Sequence, residues 1–191
     1  MVWALLNEAQ SKGLHEIVES KSDRVAAILG AAMLDDSLRR ALEFRFRPSS
    51  LKDRVFEFGG GLGNTPPKIH LAYLLYMIDK PMMQAMEAIS DIRNAFAHNL
   101  TIALDDPGVR MSENFNKLQL HKGLTHYPHP FTDGPSEQKI ERANDRRDQF
   151  MVNLKLVLVH LMRDFRMHAP NSNFPPPLAS VLNASDAASN T

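Results

Sequence analysis

"KIHLAYLLYMIDKPMMQAMEAISDIRNAFAHN", residues Lys68–Asn99, is the stretch that decides the fold. Its apolar residues return every three or four positions, and no part of the chain alternates at period two for long enough to argue for a sheet. Met82, Met86, Ile89, Ile92 and Phe96 gather on one side of a helix that Asp79 caps and Pro81 opens. The run before it, "IHLAYLLYMI", is apolar nearly all round, which predicts burial between other helices. Thr65 is its expected cap, with Pro66 at the first helical position. The link between the two helices is short, so they should pack antiparallel.

Working outward, Ser22 or Asp23 can cap a helix running to about Phe46, with Val25, Ile28, Leu29, Ala32 and Asp36 on one side. A shorter amphipathic lead, about Val2 to Glu19, comes before it. Pro48 stops the long helix, a turn spans Leu51 to Phe56, and "GGGLGN" breaks the backbone ahead of Thr65. Residues 105–134 carry Pro, Gly and His, with a brief helical hint at Ser112 to Leu120, and read as an excursion over the surface. A final helix is expected over 135–168, with Ile140, Phe150, Leu154, Val157, Leu161 and Phe165 on one face and a solvated first half in "ERANDRRD". The remainder, 169–191, is rich in Pro, Ser, Asn and Ala and reads as a disordered tail. The expectation is one all-α domain over 1–168, a helical bundle of about four main helices.

Composition narrows the function classes. Lys plus Arg and Asp plus Glu balance at 22 each, so no global basic field gathers nucleic acid or acidic lipid. There is no cysteine, which rules out disulfides and thiolate chemistry and suits a cytoplasmic setting. The sequence shows neither a basic stretch followed by a long apolar run at "MVWALLNEAQ" nor a segment of about 20 apolar residues, so neither a secretory signal nor a membrane partner is expected.

The polar end of the third helix, "DIRNAFAHN", offers the candidate chemistry. Arg93 falls on the apolar side, where a guanidinium needs a carboxylate partner. The motif "LDDS" supplies Asp35 and Asp36, and a buried or half-buried ion pair between Arg93 and one of them is the expectation. His98 lies about 140° around the axis from Arg93 on a straight helix, so the two side chains do not meet on one face. They can share a site only if the arginine bends across Ala97, the helix end unwinds, or a second chain contributes.

At these residues the chain resembles a known family. "SDRVAAILGAAMLDDSL", "FEFGGGLGN", "KIHLAYLLYMI" and "ISDIRNAFAH" stand in the order and spacing of the mannitol operon repressor family of bacterial all-helical proteins, over roughly residues 22–100. "RNxFAH" also resembles the Arg-x4-6-His motif of HEPN domains, a superfamily holding metal-independent ribonuclease toxins and inactive interaction modules. The first resemblance implies a non-enzymatic regulator of transcription that works through a protein partner, as a homodimer or otherwise, without reading DNA bases itself. The second implies an alternative, an endoribonuclease dimer in which His98 takes the proton of an RNA ribose hydroxyl. Arg93 would then stabilise the phosphorane charge and Asn94 orient the phosphate. Neither implies a cofactor or a metal.

Other signals are weaker. Gly59–Gly63 lacks the following Lys-Ser/Thr and preceding strand of a phosphate loop and reads as a turn. His121, His126 and His129, with Asp133, sit among prolines and make a poor metal-binding set. His70 and His160 read as hydrogen-bonded core histidines. "PMMQAM" reads as adaptable packing or part of a dimer face. No exposed polar helix after a short turn suggests a helix-turn-helix reader, so direct DNA contact is not expected.

Overall fold

In the computed structural model, residues 8–122 and 145–168 are described. They form an all-α bundle: α1 (Glu8–Glu19), α2 (Asp23–Glu43), α3 (Ser50–Phe56), α4 (Thr65–Leu74), α5 (Lys80–His98), α6 (Val109–Lys117) and α7 (Arg146–His168). No strand occurs among the described residues, and no described helix is long and apolar enough to cross a membrane.

The middle of the bundle is α2, which packs against α7, α5, α1 and α4. Ser22 starts it by accepting the Val25 N–H. Its buried positions are largely small: Ala26, Ala27, Gly30, Ala31 and Ala41, with Leu34, Leu38 and Leu42. Gly30 shows why, because a Cβ there would stand 2.6 Å from Leu154 Cδ2 on α7. The side through Val25, Ile28, Leu29, Ala32 and Asp36 is not the most buried one. Val25, Ile28, Leu29 and Asp36 are half-buried and Ala32 is exposed. The buried face is the one on which small residues let neighbouring helices approach.

Between α2 and α4 the chain forms α3, capped by Ser49, where the sequence suggested only a turn. Phe56 is buried and meets Phe46 at 5.7 Å. The glycine run then folds back on α3: Leu62 N–H donates to Val55 O, and a Cβ on Gly60 would lie 2.4 Å from Arg54 O. Gly59 adopts φ 87°, a conformation other residues rarely take.

The expectation for "IHLAYLLYMI" fails in an informative way. Only Lys68, Ile69 and Ala72 of α4 are buried, because among the described residues α4 packs chiefly on α2 and α5. The helix also ends early, at Leu74. Met77 N–H donates to Ala72 O and Tyr76 N–H to Tyr73 O, the paired bonds of a Schellman stop. Tyr76 sits at the position where glycine is usual, with φ 56°.

Helix α5 begins as the sequence predicts, with Asp79 accepting the Met82 N–H and Pro81 in the first turn. Met86, Ile89, Ile92 and Phe96 are fully buried, and Met82 is partly so. The region after α5 is not a surface excursion in the part described. Leu104, Met111, Phe115 and Leu118 enter the core as α6 packs on α5 and α7. On α7, Phe150, Leu154, Val157 and Leu161 are buried. The start of α7 is not simply solvated, since Arg147 pairs with Asp23 at 2.8 Å and Arg146 donates to Asp106 O and Ser112 Oγ. The expected residues 135–144 of the final helix, including Ile140, and the tail 169–191 lie outside the described residues.

Candidate functional site

Helices α2, α4 and α5 diverge at one end to leave a cleft of about 770 Å³. From α2 come Asp35, Asp36 and Arg39; from the first turn of α4 and its approach, Asn64 and Thr65; from α5, Ser90, Arg93 and Asn94. The last three are spaced i, i+3, i+4, which places them on neighbouring turns of one helix face. Two observations follow about the residues singled out from sequence.

First, Arg93, Asn94, Asp35 and Asp36 do line one cleft, but the expected ion pair is absent. Asp35 is taken by Lys68, whose Nζ lies 2.6 Å from both carboxylate oxygens, and by Thr65, whose hydroxyl donates at 2.7 Å. Lys68 is only 2% exposed, so its ammonium must be matched, and it has the prior demand on the carboxylate. Asp36 pairs with Arg40 at 3.1 Å. Arg93 is exposed and donates from Nη1 to Asn94 Oδ1 at 3.0 Å; among the described residues it makes no ion pair. It faces the open cleft, so water meets the guanidinium.

Second, His98 does not join them. It is the last residue of α5, exposed, and not part of the cleft lining. The end of that helix is instead governed by Arg24, which donates to Phe96 O and, at 2.6 Å, to Asn99 O while lying over the Phe96 ring. Arg24 thus satisfies the C-terminal carbonyls of α5 from across the bundle. Within one chain, the arginine and histidine of the HEPN-like motif are not brought to a common site.

Arg24, Lys68 and Ser90 are the residues that sequence reasoning missed. Lys68 carried a signal: a lone cation opening an apolar helix needs a carboxylate, and "LDDS" was the nearest source. Arg24 and Ser90 carried none, since their roles depend on which helix end and which cleft they face. Arg39 also belongs to the cleft; the hydrogen bond to Glu43 holds its pKa above the ordinary value, with burial opposing. Its guanidinium lies over Phe56 at 5.4 Å.

The histidines divide. His70 is exposed, with Nε2 3.1 Å from Glu87 Oε1, which corrects the expectation of a core histidine. His160 is half-buried and its Nε2 bonds Met77 O at 2.9 Å. His121 packs beside Asn153, a fully buried amide that accepts from Leu120 N–H and donates to Gln149 O. Burial, then the charge of Lys122, push the His121 pKa below its ordinary value. His126, His129 and Asp133 lie outside the described residues.

A second feature stands apart from the cleft. Tyr73, Leu74, Leu75 and Tyr76 form an apolar ledge at the end of α4, with Leu74 70% and Tyr76 93% exposed. Beside it a hollow of about 550 Å³ is lined by Tyr73, Leu74, Tyr76, Ile78 and His160 among others.

No protein-family model matches the chain, and comparison with characterised proteins and with solved structures finds no match. The likeness to the mannitol operon repressor and HEPN groups rests on the sequence motifs alone.

Proposed function

We propose that this protein is a non-enzymatic regulator that works through contact with a protein partner, in the manner its resemblance to the mannitol operon repressor family implies. The supporting observation is Tyr76. A tyrosine at φ 56° occupies a position where glycine would relieve backbone strain, and its side chain gains almost no burial in return. An aromatic ring held in solvent at a local energetic cost is accounted for by a partner that covers it. Tyrosine is also among the residues that most often anchor protein interfaces. The ledge around it is a contiguous apolar surface beside a hollow, the usual form of an interaction patch. Transcription is the regulated process on the strength of the family resemblance, and a second copy of the chain is one form the contact can take.

The endoribonuclease alternative places Arg93, Asn94 and His98 together across a dimer. In one chain His98 stands outside the cleft that holds the other two, so this reading draws no support from the geometry. The two readings separate when purified protein is incubated with mixed RNA in chelator, comparing wild type with His98→Ala. The proposed function expects intact RNA from both proteins. Cleavage that leaves cyclic phosphate ends and disappears in His98→Ala would overturn it.

A further inference from the structure

The cleft between α2, α4 and α5 is lined by two carboxylates, Asp35 and Asp36, and two guanidiniums, Arg39 and Arg93, and it holds unused donors. Asp35 is neutralised by Lys68, Asp36 is paired with Arg40, and Arg39 is paired with Glu43 at 2.7 Å. Arg93 is left without an ion pair among the described residues. Its bond to Asn94 Oδ1 fixes the guanidinium and turns the Asn94 amide so that its Nδ2 is a donor. On the turn before, Ser90 is only 8% exposed, lines the same cleft, and makes no side-chain hydrogen bond among the described residues. Its hydroxyl is not sealed off from the cleft, so it can donate to what enters.

We infer that this cleft binds a small organic molecule through an oxyanion head, a carboxylate or phosphate ester, held by Arg93, Asn94 and Ser90. A guanidinium fork and an amide donor suit the lone pairs of an oxyanion, and the hydroxyl supplies a third bond. The volume, about 770 Å³, falls in the range of small-molecule sites and exceeds what a bare anion would fill. The site is distinct from the ledge, and it does not depend on the protein-contact reading. It also does not use His98 or require a second chain.

The test is an amide NMR titration of the full chain with three probes: inorganic phosphate, glycerol 3-phosphate and glycerate. The expected result is saturable shifts at Thr65, Ser90, Arg93 and Asn94, with an organic probe binding more tightly than inorganic phosphate and a dissociation constant of about 1 mM or below. The tighter organic probe identifies the head group. Arg93→Gln should weaken binding about tenfold or more and Ser90→Ala about threefold, from the loss of one charged and one neutral hydrogen bond. Both variants should melt like wild type, since Arg93 is exposed and Ser90 unpartnered. His98→Ala should bind unchanged. No saturation by any probe at about 10 mM, equal affinity for all three, shifts outside the cleft, or binding that survives Arg93→Gln would each overturn the inference.

Discussion

Lys68 Nζ lies 2.6 Å from both carboxylate oxygens of Asp35, and this pair joins α4 to α2 at the floor of the cleft. The two partners are unequal: the lysine is 2% exposed on its side chain and the aspartate 34%. Removing the carboxylate strands a buried ammonium, whereas removing the ammonium leaves a carboxylate that water can reach. Asp35→Ala should therefore destabilise by on the order of 3 kcal/mol, at the low end for a buried pair, and Lys68→Met by about 1 kcal/mol. Urea denaturation of the two variants measures the difference, and the opposite order would show that the buried charge is not what fixes α4.

His121 makes the fold sensitive to acid. Its pKa lies below the ordinary histidine value, first through burial and then through Lys122, so the folded state holds the neutral ring. The Asn153 amide, 3.1 Å from His121 Nδ1, acts in the opposite direction but more weakly than burial and Lys122. The contribution is complete above the unfolded pKa of about 6.5. Below it the unfolded chain binds the extra proton and stability falls, until the folded ring also protonates. Urea midpoints measured from neutral to mildly acidic pH should fall for wild type and be flatter for His121→Gln. Parallel curves would contradict the assignment.

Tyr76 carries a stability prediction that runs against its size. Because the tyrosine is 93% exposed at φ 56°, Tyr76→Gly removes strain and little packing. The variant should be equal to wild type or more stable by up to about 1 kcal/mol, as read from thermal melting. A clear loss of stability would mean that the ring supports the fold and is not reserved for contact.

The all-α architecture was legible because α2, α5 and α7 carry strong helical periodicity and clear starts, as at Ser22 and Asp79. The outer side of α4 was not. Periodicity identifies apolar faces, but it does not say whether a neighbour arrives to cover them, and here none does among the described residues. The core side of α2 gave no size signal for the converse reason, since Gly30 and its neighbouring alanines create closeness without bulk. At the cleft, the sequence singled out Arg93, Asp35 and Asp36 and misjudged their bonding. A competing cation, Lys68, lay thirty-three residues from Asp35 in sequence and reached it first. The separation of His98 from Arg93 followed from helix geometry alone.

The claim that this protein works through its apolar ledge is tested most directly by comparing what wild type and the paired substitutions Leu74→Glu and Tyr76→Glu retain. Each is immobilised at equal folded concentration, challenged with native cell extract and with the free chain itself, and the bound proteins are quantified. The account predicts at least one protein bound in near-stoichiometric amount by wild type and reduced about tenfold or more by the substitutions, while their melting temperatures stay close to wild type. If the substituted protein retains the same partners at the same level, the ledge is not the contact surface and the account is wrong.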